Sequence, residues 1–299
     1  MTEELSRRYV DLDQWPLIDA VEAIYEGQLA AVAAVKPAVP AVAEAARRAA
    51  ERLAGDGGGR LIYAGAGTSG RLAVQDGVEL VPTYGWPRAR LAFCLAGGMD
   101  ALTRSAEAAE DRAEDAEHAI AELHVGANDV LIAVAASGVT PYSVGALQAA
   151  KARGALAIAI ANNPDTPLLA AADCPILAIT GGELVAGSTR MKAGTAQKAL
   201  LNMLSTATML RLGRVHAGYM VNMAISNRKL RARAVNMIAD IAACAIADAD
   251  AALARSDGDI KLAVLICQGH GPEAARALLA NAGGNLRQAL QAAKTNGGQ

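Results

Sequence analysis

Five short apolar runs, each closed by small, polar or hydroxyl residues, constrain this chain more than any other feature. They are Arg60–Ala64, Arg90–Leu95, Asp129–Ala135, Ala155–Ala161 and Cys174–Thr180. Their apolar character is continuous rather than alternating, as expected of strands buried on both faces. Interleaved with helical stretches, they specify an α/β fold: a five-stranded parallel sheet sandwiched between helices. Upstream, Leu17–Val35 and Val39–Leu53 carry apolar residues at helical spacing, set apart by Pro37 and by Pro40 at the start of the second. Downstream of Ser188 the chain reads as helical, with a long helix expected from about Lys192 to Gly213. The expected organisation is an N-terminal helical segment over 1–55, an α/β domain over 56–233 and an Ala-rich helical bundle over 234–299.

Composition narrows the class. Of the 299 residues, 53% are hydrophobic, enough for a sizeable core, while only 3% are aromatic. Ala, Leu, Val and Ile must therefore pack that core. A net charge of −2 offers no basic excess for a nucleic-acid backbone. No apolar run in the sequence reads as reaching the ~20 residues that span a bilayer, so no membrane partner is expected. The polar, acidic start is unlike a signal peptide. Cys94, Cys174, Cys244 and Cys267 lie far apart, without the spacing of a zinc site or a disulfide framework. The expectation is a cytoplasmic globular protein with no metal.

Ligands of open α/β sheets bind beyond the carboxyl ends of the strands. The first such end reads Gly65-Ala-Gly-Thr-Ser-Gly-Arg71. Gly67 lets backbone approach a ligand, Thr68 and Ser69 add hydroxyls, and the following helix directs its positive end there, which favours a phosphate. The spacing also matches the dinucleotide fingerprint, but no ribose-binding acid closes the second run, which ends Leu95-Ala-Gly-Gly98. A tight turn with helix caps is the bland alternative. The second loop, Ala136-Ser-Gly-Val-Thr-Pro141, repeats the logic with Ser137 and Thr140, and either hydroxyl also reads as a cap. The third, Gly187-Ser-Thr-Arg-Met-Lys192, brings Ser188 and Thr189 to a helix start, with Lys192 as a candidate anion partner or a solvent-facing charge. A P-loop lysine is missing, so these loops suit a sugar phosphate better than a nucleotide.

None of the four histidines, His118, His124, His216 and His270, sits beside these loops. Proton transfer then falls to acids. Glu79 lies among Val78, Leu80 and Val81, surroundings that raise a carboxyl's pKa if they enclose it. Glu110 and Asp111 belong to an acid-rich helical segment that reads mostly as a solvated face.

Two segments carry a specific resemblance. Gly65-Ala-Gly-Thr-Ser-Gly-Arg-Leu72 and Gly187-Ser-Thr-Arg-Met-Lys-Ala-Gly-Thr-Ala-Gln-Lys198, continued by Leu201-Asn-Met-Leu-Ser-Thr206, resemble the signatures of N-acetylmuramic acid 6-phosphate etherases, members of the sugar isomerase (SIS) domain superfamily. The likeness runs from Thr2-Glu-Glu4 through Tyr9-Val-Asp-Leu-Asp13 to the last helices. It implies a SIS fold with a small ubiquitin-associated-like C-terminal bundle. It implies cleavage of the lactyl ether to N-acetylglucosamine 6-phosphate and D-lactate, without cofactor, by elimination and then hydration. It also implies a homodimer, for which the Ala- and Met-rich helix over 193–212 is a candidate face, though it reads equally well as a buried core helix. By match to the family's segments, Glu79 of Asp76-Gly-Val-Glu79 would be the first acid/base. Glu110 of Glu107-Ala-Ala-Glu-Asp111 would be the second. Gly67, Thr68, Ser69, Ser137, Thr140, Ser188, Thr189 and Lys192 would hold the sugar phosphate.

The sequence also departs from the pattern. Val139 stands where the family has arginine, and Leu80-Val-Pro82 replaces Cys-Pro-Pro. An altered substrate is therefore one alternative. A non-catalytic sugar-phosphate-binding regulator and an aldose–ketose isomerase of the same superfamily are others. The surviving carboxylates speak against the regulator, and the run from Gly187 speaks against the isomerase.

Overall fold

The five apolar runs form β1 (Leu61–Gly65), β2 (Leu91–Leu95), β3 (Val130–Ala135), β4 (Leu156–Ala161) and β5 (Cys174–Leu177). All pair in parallel, in the order β2-β1-β3-β4-β5. β5 stops at Leu177, short of the expected Thr180, because it is an edge strand paired with β4 only through Leu177. Helices α1 (Leu17–Ala33) and α2 (Val39–Leu53) precede the sheet, and α3 (Gly67–Tyr84) follows β1. Then come α4 (Glu107–Glu110), α5 (Ala113–Glu122), α6 (Pro141–Ala152), α7 (Pro167–Ala171) and α8 (Lys192–Arg211). The chain closes with α9 (Arg228–Ala242), α10 (Ile246–Arg255), α11 (Ile260–Cys267), α12 (Pro272–Asn281) and α13 (Leu286–Asn296). This computed structural model describes residues 2–296 apart from Asp56 and Ser105.

The chain divides into two compact units, Met1–Val78 with Ala89–Ala207, and Glu79–Arg88 with Thr208–Gln299. In the first, the sheet is buried on both faces, and β1, β3 and β4 are buried throughout. One face explains the alanine content: Ala64, Ala133, Ala157 and Ala159 pack with Ala116, Ala146 and Ala150 of α5 and α6. Small residues on both sides let helix and sheet approach closely, and Ile62, Leu131, Ile120 and Leu147 fill the remaining volume. α8 is mainly a core helix, with Ala193, Ala196, Leu200, Leu201 and Leu204 buried. In the second unit, Ile238, Leu253, Val264 and Leu265 centre an apolar cluster of α9 to α13. Arg214 ties its Glu79–Arg88 segment down, donating to the carbonyls of Tyr84 (2.8 Å) and Gly85 (2.9 Å) and lying 5.0 Å from the Trp86 ring centre.

The N-terminal helices correct one expectation. Leu17–Leu53 is long and apolar enough, by composition, to cross a membrane. However, α2 buries Val42, Ala45, Ala46, Ala49 and Leu53, which is the behaviour of a core helix. α1 differs: Leu17, Ile18, Val21, Tyr25, Leu29 and Val32 all stay exposed.

Candidate active site

β1 leads to β2 on one side of itself, and the chain then crosses back to place β3 on the other side. The carboxyl ends of β1 and β3 therefore flank the point where the winding reverses, the preferred ligand position of such sheets. A cavity of about 320 Å³ lies there, at the small end of the usual ~300–1,000 Å³ for ligand pockets. Its wall includes Ala66, Gly67, Thr68, Ser69 and Arg71 after β1, and Ala136, Ser137 and Thr140 after β3. Thr189, Glu110 and Glu3 complete its polar lining.

The glycines of the first loop have separate tasks. A β-carbon on Gly65 would stand 2.9 Å from the Gly70 Cα, and one on Gly70 would stand 2.8 Å from the Gly65 carbonyl carbon. Strand and helix thus turn within a space that excludes both side chains. Gly67 has φ +51°, in the left-handed region, and opens α3. The first helical hydrogen bond of this turn runs from Gly70 N to Ala66 O (2.9 Å). The amides of Thr68 and Ser69 precede it, and such first-turn amides are natural anion donors. Arg71 adds the cation. Its Nε donates to Ala101 O (2.9 Å) and its Nη2 to Arg104 O (3.1 Å), which fixes the guanidinium at the rim.

The second loop is not merely a capping device. Thr140 is the N-cap of α6 and Pro141 its first residue, as expected, but the Thr140 hydroxyl makes no capping bond. It lies 3.5 Å from the Ser137 hydroxyl, which accepts from Val139 N (3.3 Å). Both hydroxyls border the cavity. Val139 itself is exposed and is not among the lining residues.

The third loop behaves differently. Glu183 is fully buried and accepts from Lys192 N and Ala193 N, both at 2.9 Å. The start of α8 therefore already holds a carboxylate. Lys192 is buried and donates through Nζ to Gly182 O (2.9 Å), and burial lowers its pKa from the usual lysine value. Only Thr189 of this loop lines the cavity. Ser188 and Lys192 do not, and Arg190 is exposed.

Asp76 ties the framework together. Its Oδ2 accepts from the Tyr63 hydroxyl of β1 (2.9 Å). Its Oδ1 accepts from Asn202 Nδ2 (2.6 Å) and the Ser205 hydroxyl (3.1 Å) of α8. Burial pushes its carboxyl above the usual range, against the pull of these hydrogen bonds. One buried acid thus joins β1, α3 and α8.

Of the two expected carboxylates, Glu110 lines the cavity: its Oε1 lies 2.7 Å from the point a Gly67 β-carbon would occupy. Glu79 belongs to the second unit, is exposed, and is not among the lining residues. Its apolar sequence neighbours do not enclose it. Glu3 and Arg71 were not singled out as site residues from the sequence. Arg71 stood in the glycine signature, whereas nothing local marks Glu3. Among the described residues, no cluster of three or more His, Cys, Asp or Glu could hold a metal.

A five-stranded parallel α/β sheet with a glycine- and hydroxyl-lined cavity at its reversal point is the architecture of a SIS-type protein. The model of the SIS domain matches residues 109–207, and that of the glucokinase regulatory protein N-terminal SIS domain matches residues 41–151. An N-acetylmuramic acid 6-phosphate etherase of Deinococcus radiodurans is 44% identical over 290 residues, covering 97% of this chain and 94% of that protein. One of Streptomyces coelicolor is 45% identical over 295 residues, covering 98% and 94%. Among solved structures, a phosphoheptose isomerase from Francisella tularensis overlays with a TM-score of 0.48 at 19% identity, covering 66% of this chain and 98% of that one. The chain belongs to the N-acetylmuramic acid 6-phosphate etherase family.

Proposed function

We propose that this protein is a carbon–oxygen lyase that cleaves the D-lactyl ether of N-acetylmuramic acid 6-phosphate, giving N-acetylglucosamine 6-phosphate and D-lactate. The observation that carries this reading is the pairing, in one cavity, of an anion cradle with a carboxylate. Thr68, Ser69, Ser137, Thr140 and Arg71 make the cradle, and Glu110 faces the same space. Hydroxyls, first-turn amides and a guanidinium suit a phosphate.

The chemistry follows from the substrate. In the open-chain form the C1 aldehyde acidifies the C2 proton. A base removes that proton, the C3–O bond breaks with its electrons, and D-lactate leaves after taking a proton. Water then adds at C3 of the unsaturated aldehyde while C2 is reprotonated. We assign the C2 proton to Glu110, because it lines the cavity. Glu79 is the family-matched acid for the departing lactate and the incoming water, and that role rests on the resemblance alone. A role in peptidoglycan recycling in the cytoplasm accompanies this reading.

The same reading includes a homodimer. α8 is occupied with the core of its own chain, whereas α1 presents Ile18, Val21, Tyr25, Leu29 and Val32 at successive steps of three or four residues, a continuous apolar stripe. A self-complementary pairing of this stripe across a two-fold axis would cover it in both copies.

The direct test is incubation of the purified protein with N-acetylmuramic acid 6-phosphate, with D-lactate and the product sugar phosphate both quantified. Release of the two in equal amounts supports the reading. Interconversion of an aldose and a ketose phosphate, or binding without turnover, contradicts it.

A further inference from the structure

The cavity receives a residue from the start of the chain, and the way it is held points to a task. Thr2 is buried. Its amide donates to Asn163 Oδ1 (3.3 Å), and its hydroxyl accepts from Asn163 Nδ2 (3.0 Å). The same Asn163 Nδ2 donates to Ala136 O (2.9 Å), at the root of the Ser137 loop. The Thr2 carbonyl accepts from Gly187 N (3.3 Å), in the loop that carries Thr189. Thr2 therefore stitches together two of the loops that border the cavity. Further along, Tyr9 packs with Ala23 and Leu184 and anchors the rest of the segment.

The next residue along is Glu3. Its side chain is exposed to the cavity and lines it, with Oε2 2.8 Å from the point a Gly187 β-carbon would occupy. The residue before Glu3 is immobilised by side-chain and backbone bonds to two site loops, which holds this acid at the cavity. Glu3 is also the only carboxylate besides Glu110 among the lining residues described.

We infer that Glu3 is a substrate-binding residue: its carboxylate accepts hydrogen bonds from the uncharged donors of the sugar, a ring or chain hydroxyl or the acetamido N–H. The argument is electrostatic and rests on the function proposed above. A sugar phosphate bearing a lactyl carboxylate is anionic at both ends. A carboxylate in the same cavity repels those ends and can face only the donor-rich middle of the ligand. Arg71 and the α3 amides attract the phosphate, while Glu3 excludes it from its own side. The pair fixes which way round the sugar lies. The Thr2 clamp makes this orientation a property of the folded chain.

The test is binding, which does not depend on turnover. Isothermal titration of N-acetylglucosamine 6-phosphate and of inorganic phosphate is compared for the parent, Glu3→Ala, Glu3→Gln and Thr2→Val, each checked for an unchanged melting temperature. Glu3→Ala is expected to weaken the sugar phosphate about tenfold or more while leaving inorganic phosphate within about twofold. Glu3→Gln, which keeps one acceptor oxygen, should lie between. Thr2→Val should follow Glu3→Ala in direction with a smaller effect. In the lactate assay KM should rise more than kcat falls, with the pH profile of kcat unmoved. Unchanged sugar-phosphate binding in Glu3→Ala, or an equal loss for phosphate, overturns the inference. A parent that binds the sugar phosphate but releases no lactate overturns the proposed activity instead and leaves the Glu3 result readable.

Discussion

The Glu110 carboxylate and Gly67 occupy adjoining space: Oε1 lies 2.7 Å from where a Gly67 β-carbon would be. The glycine that opens α3 therefore does two things. It adopts φ +51°, and it leaves room for the acid beside the hydroxyl-lined loops of the cavity. Gly67→Ala should force the carboxylate aside and strain the backbone by about 1–2 kcal/mol. Lactate release should fall by roughly tenfold to a hundredfold, as expected for a misplaced catalytic group, with only a modest loss in melting temperature. Steady-state rates measured beside thermal unfolding check this. A variant as active as the parent would show that Glu110 need not sit there.

Glu183 holds the start of α8. It is fully buried and accepts from two backbone amides. Glu183→Ala leaves those donors unsatisfied and should cost about 2–4 kcal/mol in denaturant unfolding. Glu183→Gln, which keeps one oxygen, should cost about half as much. Because Thr189 lies just before α8, KM should rise in both.

Lys261 gives the second unit a pH dependence of definite sign. Burial, then the nearby Arg214 charge, lowers its ammonium from 10.5 to about 8, with Asp259 opposing, and its Nζ donates to Gly284 O (2.6 Å). Between about 8 and 10.5 the folded chain holds fewer protons at this site than the unfolded chain. Stability from this group therefore rises with pH across that window, and the full cost is present below it. Lys261→Met should flatten the rise in melting temperature over that range. A parent curve with no rise contradicts the assignment.

The apolar stripe of α1 predicts the oligomeric state. Sedimentation of the parent should show a dimer. Val21→Lys with Tyr25→Glu should shift it towards monomer without loss of helix content by circular dichroism. A dimer that survives both charges places the interface elsewhere.

The sheet was legible in the sequence because strands buried on both faces leave continuous apolar runs, and four of the five stop within a residue or two of their apparent ends. Strand order was not legible, since it is set by which runs meet across the chain rather than within any one of them. The site followed the same division. Thr68, Ser69, Ser137, Thr140 and Thr189 sit at strand ends or helix starts, where local pattern marks them, and all line the cavity. Lys192 stood at an equally suggestive position, but Glu183 and the Gly182 carbonyl close that helix start on itself, a satisfaction no local pattern reveals. Glu3 was invisible for the opposite reason: its place depends on Thr2 meeting Asn163, far along the chain.

The central claim is that Glu110 moves the C2 proton in an elimination that expels D-lactate. The most direct measurement is turnover of N-acetylmuramic acid 6-phosphate in deuterium oxide by the parent, Glu79→Gln and Glu110→Gln, reading D-lactate by coupled assay and deuterium at C2 of the sugar product by NMR. The account predicts one deuterium at C2 for each lactate released by the parent, and a loss of at least about a hundredfold in both signals for Glu110→Gln. Lactate released without deuterium at C2, or Glu110→Gln turning over at the parent rate, would contradict it.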